Sequence, residues 1–217
     1  DEAATVIYYS VGTSTAVLYN GNGTEDASNG VLTLSSSAAS NIGVGDEVRV
    51  GSTRYYIRQR NSATEFLIQN SAANSGVPGN TAITFTDQDV DIYRAFNSLL
   101  SAFNNSDGSS YLGTTDLTSG NYQLNWACYA DGADTSNITI SGYGTGPTTY
   151  IRIYTPVSPT EVGTSQRHNG LWTNNAYRLE TTAAVASITL YTPYIRIEGL
   201  QISQDNVAAE YAGIYAA

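Results

Sequence analysis

The sequence has no lysine and no methionine, and it holds a single cysteine, a single histidine and five prolines in 217 residues. All nine basic residues are therefore arginines, and nineteen acidic residues bring the formal charge to −10. A balance this acidic leaves no basic stripe for nucleic-acid phosphates, and it disfavours anionic membrane surfaces for the same reason. One cysteine, Cys128, excludes an internal disulfide and leaves the redox compartment open; a small buried hydrophobe is its expected role. With one histidine as well, a transition-metal site is poorly supplied. No apolar run approaches the ~20 residues that a helical membrane span needs, so no membrane insertion is expected. Charge itself is scarce, at 13% of residues against roughly 25% in an ordinary soluble domain. Serine, threonine, asparagine, glycine and tyrosine take its place and give the neutral, hydroxyl-rich surface of exported β proteins. A sequence that opens at Asp1 fits that picture, and the expectation is a mature secreted chain, extracellular or at the cell surface, whose export signal has been removed.

What is present is mostly strand. Before residue 94 come TVIYYSV (5–11), TAVLYN (15–20), GVLTLSS (30–36), DEVRVG (46–51), RYYIRQR (54–60), TEFLIQN (64–70) and TAITFTD (81–87). Turn signals such as Asn22-Gly23, Asn29-Gly30 and Pro78-Gly79-Asn80 separate them. Strands so short and so tightly joined predict a small antiparallel barrel or sandwich over residues 1–93. RAFNSLLSAFN (94–104) then sets Phe96, Leu99, Leu100 and Phe103 at helical spacing, which predicts one helix and a linker over 94–110.

After the helix the pattern changes. YIRIYTP (150–156) returns as YIRIEGL (194–200), forty-four residues later. In SITLYTPYIRIEGLQIS, Thr192-Pro193 and Gly199 leave no room for hairpins, so each corner bends the chain without reversing it. Strands that succeed one another in this way stack in parallel from one coil to the next. The spacing fits two coils, or one coil carrying a long excursion between Val157 and Asn175. Ile151, Ile153, Ile195 and Ile197 are expected to face inward, with Arg152 and Arg196 outward. The predicted fold class is all-β: the N-terminal module, the short helix, and a right-handed parallel β-helix over residues 111–217.

NIGVGDEV, RAFNSL, YQLNWACYADG, YIRIYTP, EVGTSQRHNG and YIRIEGLQI, in that order, resemble a group of exported proteins of environmental bacteria with right-handed parallel β-helix repeats. The resemblance spans Thr5 to about Ser203 and implies architecture rather than activity, because members of the group are mostly uncharacterised and a fold does not by itself supply a function. It also implies further coils in relatives, whereas this sequence ends at Ala217.

Chemistry-bearing residues are sparse. Asp87, Asp89 and Asp91 alternate in TDQDVD, which on a strand puts three hard oxygen ligands on one face. Calcium is the one cofactor they suggest, although Ile92 stands where an EF-hand loop has glycine and no closing glutamate follows. The plainer role is an acidic edge that deters strand pairing. His168 lies in SQRHNG with Ser165 three residues before it, without a nucleophile elbow. Arg152, Arg196, Glu198 and Asp205 are the candidates for polysaccharide cleavage, with no spacing that singles them out. Trp126, Trp172 and seventeen tyrosines offer stacking surfaces for sugars or, more simply, core.

These readings favour a non-enzymatic extracellular structural protein, a filament or surface-assembly subunit whose partners are copies of itself. The alternatives are a carbohydrate-binding or adhesive module, with polysaccharide as partner, and a polysaccharide lyase or hydrolase. Self-association is expected head to tail: Val6, Ile7, Tyr8 and Tyr9 in an N-terminal strand would add to the end of the next subunit around Ile214 and Tyr215.

Overall fold

The computed structural model describes residues 3–26, 30–72, 78–79, 84–206 and 211–217. The first half of the expected strand 81–87, and the Asn29 and Asn80 positions of two expected turns, lie outside the described residues.

Strand β1 (Thr5–Val11) is followed by six strands that close on themselves: β2 (Tyr19–Asp26), β3 (Val31–Leu34), β4 (Glu47–Val50), β5 (Thr53–Arg60), β6 (Glu65–Gln69) and β7 (Phe85–Tyr93). They form an antiparallel barrel in the order β2-β3-β6-β5-β4-β7. Alternation fills it: Leu32 and Leu34 of β3, Phe66 and Ile68 of β6, and Val90 and Ile92 of β7 point inward and are buried together with Val48 and Ile57.

The rest of the chain corrects the expected fold class. Residues 111–217 do not make a single right-handed parallel β-helix; their strands fall into separate small parallel sheets, and one of these takes a strand from the far N-terminus. The first sheet has the order β1-β8-β11-β14, with β8 at Tyr122–Cys128, β11 at Ile151–Tyr154 and β14 at Ile195–Glu198. The second contains β9 (Ala133–Asp134), β12 (Arg178–Thr181) and β15 (Gln201–Gln204), and the third β10 (Ile138–Ile140), β13 (Ile188–Leu190) and β16 (Ile214–Ala216). From β8 onward the chain visits the sheets in a fixed order, and the two YIRI segments do pair in parallel, Ile151 with Ile195 and Ile153 with Ile197. A reading of neighbouring residues could not anticipate that β1, lying on the far side of the barrel in sequence, would supply the first strand.

One core runs between the sheets. Ile7, Leu124 and Ile151 form one inward column, and Tyr9, Trp126 and Ile153 another, all fully buried. Burying an isoleucine-sized side chain contributes about 1.5–3 kcal/mol, so these columns anchor the sheets at the barrel end. Ile195, Ile197, Leu190 and Ile202, at the other end, are only partly buried.

The helix is shorter than expected. α1 spans Leu99–Asn105, because Ser98 caps it by accepting from Ser101 N–H at 3.0 Å while Asp134 accepts from Leu99 N–H at 2.7 Å. A second turn of helix, α2, spans Leu117–Gly120 behind the Asp116 cap. Arg94, the start of the expected helical range, and Phe96, placed in it by spacing, lie before the cap; Phe96 instead bridges Val11 at the edge of β1.

Candidate interaction surface

The two ends of the stacked sheets are treated differently. At one end the outer edge of β1 is covered: Ser10 N–H donates to the Gly45 carbonyl (2.8 Å), Phe96 N–H to the Ser10 carbonyl (3.0 Å) and Gly12 N–H to the Phe96 carbonyl (3.0 Å). The Gln69 side chain exchanges two further hydrogen bonds with Tyr8, and α1 lies against β1 and β10. Val44 N–H donates to the Glu161 carbonyl and Thr164 N–H to the Ser40 carbonyl (both 2.8 Å), so the excursion between β11 and β12 also packs on the barrel.

At the other end, among the described residues, β14, β15 and β16 have a strand on one side only. The Tyr194 and Glu198 carbonyls accept from Ile151 and Thr155. Because backbone groups alternate in direction along a strand, the N–H and C=O of Ile195 and Ile197 face the open side. By the same alternation, Ala217 N–H donates inward to Leu190 and Ala216 N–H points outward. Around these edges Tyr191, Tyr194, Ile214 and Tyr215 are exposed, and a notch of about 310 Å³ opens between Tyr194 and Ala216.

The expected self-association residues divide accordingly. Ile214 and Tyr215 lie at the open end. Val6, Ile7, Tyr8 and Tyr9 belong to β1, which is paired along its length with β8 of its own chain. Ile7 and Tyr9 are core residues, so β1 is not a free strand available for donation, and the head-to-tail exchange expected from the sequence is corrected on that ground.

Asp87, Asp89 and Asp91 all lie on β7, but Asp87 has φ +49° and the ladder slips opposite it, which breaks the alternation. Asp87 accepts from the Asn22 side chain at 2.8 Å and Asp91 from Asn20 at 2.7 Å. Among the described residues no group of three or more His, Cys, Asp or Glu side chains is placed to hold a metal ion. Ser165 and His168 are spent on their own turns, accepting from Arg167 N–H at 3.3 Å and Gly170 N–H at 3.0 Å. Arg152 forms a two-point pair with Glu198 (3.1 and 2.7 Å) and lies over the Tyr154 ring, and Arg196 lies over Tyr150. Hydrogen bonds from Arg152 hold the Glu198 carboxyl below its ordinary pKa. These three occupy the outer face of the first sheet, whereas Asp205 follows β15 in the second, so the structure does not bring the four candidates together. Cys128 is buried, and burial, with the charge of Asp134 second, pushes its thiol pKa well up.

Sequence reading missed Arg94. Its guanidinium, buried, bonds Asp46 at 2.7 and 2.8 Å and Asp131 at 2.7 and 2.9 Å, and it stacks 3.8 Å from the Tyr129 ring centre. It thereby ties the barrel, at Asp46, to the segment after β8, at Asp131. No local signal marked it, since both partners are distant in sequence.

No protein-family model matches the chain, and comparison with curated proteins and with solved structures also gives no match. What defines it is the architecture itself: an antiparallel barrel set between two adjacent strands of a parallel stack, closing one end of that stack. No helix among the described residues is long and apolar enough to cross a membrane.

Proposed function

We propose that this protein is an extracellular structural module that self-associates through the open edges of β14, β15 and β16. The observation that supports this reading is the asymmetry of the stack: the barrel and α1 cover one end, while the other presents strand edges flanked by exposed tyrosines. Such edges are templates for pairing, and proteins that remain single normally blunt them with charge, proline or a covering element. With the β1 end covered, the free surface of one copy is the same surface on the next. Two copies then meet open end to open end, a self-complementary contact that closes as a dimer instead of growing into a fibre. The sparse charge and hydroxyl-rich composition support an extracellular setting.

Sedimentation velocity across a concentration series tests it. The expected result is a monomer–dimer equilibrium in the unaltered chain. Replacing Ile197→Pro and Ala216→Pro together removes two outward-facing N–H donors without touching the inner ladder, and should leave a folded monomer by circular dichroism. A monodisperse monomer at the highest soluble concentration of the unaltered chain, or a dimer indifferent to both prolines, refutes the reading.

A further inference from the structure

The two tryptophans have opposite fates. Trp126 is fully buried in the core, and its Nε1–H donates to Ser106 Oγ at 2.9 Å. Trp172 is 51% exposed. A bare indole on a polar surface calls for a reason, the more so when its backbone is held.

The loop bearing Trp172 is fixed from the strands beneath it. Gln201, buried on β15, accepts from Thr173 N–H at 2.7 Å and donates to the Thr173 carbonyl at 2.9 Å. Arg178 of β12 donates to the Asn174 carbonyl at 3.1 Å. The residue after the indole is therefore clamped at both its backbone groups. Ordering a contact group in advance removes an entropic cost that binding would otherwise carry.

Beside the indole lies a cleft of about 390 Å³ lined by Thr135, Trp172, Glu180, Thr182, Ser203 and Asp205 among others, within the size range of small-molecule sites. Its floor is the outer face of the second sheet, where Glu180 sits beside Ser203 in the parallel register. Arg178 Nε donates to Glu180 Oε1 at 2.6 Å, orienting that carboxylate, while Asp205 stands exposed at the rim. The cleft thus combines one aromatic face, two carboxylates and the hydroxyls of Thr135, Thr182 and Ser203, while the hydroxyl of the remaining lining residue, Thr181, is bonded to buried Ser187 at 2.6 Å.

We propose that this cleft binds a neutral saccharide, one sugar ring stacking on Trp172 and its hydroxyls donating to Glu180 and Asp205. An aromatic face accepts the C–H face of a pyranose, and vicinal sugar hydroxyls match carboxylate and hydroxyl acceptors. Phosphorylated or uronic sugars are rejected, since the carboxylates and the net charge of −10 repel them. The site lies on a sheet face, not on the open strand edges, and stands apart from the self-association reading.

Titration of the full chain with neutral hexaoses (cello-, xylo-, manno-, malto- and laminari-hexaose) and with oligogalacturonate, followed by tryptophan fluorescence and calorimetry, tests the assignment. At least one neutral hexaose should bind saturably and perturb the exposed indole, with oligogalacturonate inert. Trp172→Ala should weaken that binding by roughly tenfold or more, about the loss of a stacked ring, and Asp205→Asn should weaken it without altering the fold. Gln201→Ala should also weaken it although Gln201 lies beneath the loop. Buried Trp126 emission serves as the folding control in each variant. The assignment is overturned if no neutral hexaose binds, if binding survives Trp172→Ala, or if the uronate binds more tightly than every neutral sugar.

Discussion

Removing Arg94 should uncouple the barrel from the parallel sheets. In Arg94→Ala the buried carboxylates of Asp46 and Asp131 lose four charge-assisted hydrogen bonds, and Asp46 keeps the Gly43 N–H at 2.9 Å. The Tyr129 ring loses its stacked cation. Breaking a buried ion pair from one side costs about 3–5 kcal/mol, because the remaining charge is left without compensation. A loss of about 4 kcal/mol lowers the melting temperature by roughly 8–16 °C in a chain of this size. The deficit is electrostatic and so depends on pH. Burial already raises the Asp46 pKa against the opposing pull of Arg94; without the arginine it rises further. An acid whose folded pKa exceeds its unfolded one loses stability as pH rises through that interval, so the variant should recover part of its deficit on acidification. Circular dichroism reports both parts of the molecule, whereas Trp126 fluorescence reports the sheets, and the two melting curves should separate in Arg94→Ala. A loss below about 1 kcal/mol with coincident curves at every pH would refute the clamp, as a buried pair cannot be that cheap to break.

Two further perturbations follow from the barrel. The Glu25 carboxylate is buried and its oxygens have no hydrogen-bond partner among the described residues; burial, with Asp26 second, raises its pKa from 4.5 to about 7. Native protein then holds this proton more tightly than unfolded chain, so stability is lost as pH rises between 4.5 and about 7. Glu25→Gln should flatten the dependence of melting temperature on pH, and an unchanged slope would count against the buried acid. Gly45 has φ +87°, and a Cβ there would sit 2.3 Å from Ser10 N and 2.4 Å from Tyr9 C. Gly45→Ala should cost roughly 3 kcal/mol or more. Gly51→Ala, at φ +59° in open space, should cost about 1–2 kcal/mol; equal losses by urea denaturation would show that the close approach to β1 carries no weight.

What could be read from the sequence was whatever depends on near neighbours. The doubled Tyr-Ile-Arg-Ile motif signalled strands in parallel register because identical side chains fill equivalent slots, and Ile151 does face Ile195. Gly30 does stand at the turn before β3, whereas Asn22-Gly23, read as a turn, lies inside β2, where both residues pair with β7. Helical spacing found Leu99 but overran the start at Ser98, because Arg94 and Phe96 answer to Asp46, Asp131 and Val11, none of them close in sequence. Asp87, Asp89 and Asp91 read as one face until the slip at Asp87, where β7 sets two residues, Thr86 and Asp87, opposite Thr24 of β2. Trp126 and Trp172 could not be told apart from composition; only the fold buries one and bares the other.

The placement of β1 carries the largest consequence. Thr5 pairs with Tyr122 and Val11 with Cys128, although the whole barrel lies between them in sequence. A strand added to a stack creates a new bare edge, and an insertion that begins where the strand ends is well placed to cover it, since its own loops start there. Gly45, between β3 and β4, accepts from Ser10 N–H, and Phe96, just after β7, donates to the Ser10 carbonyl and accepts from Gly12 N–H. The difference in burial follows: Ile7 and Tyr9, on an edge strand, are fully enclosed, whereas Ile195 and Ile197, on the opposite edge strand of the same sheet, are only partly so. Two edges of one sheet thus differ in what covers them: the barrel segment lies on β1, while among the described residues β14 has a strand on one side only.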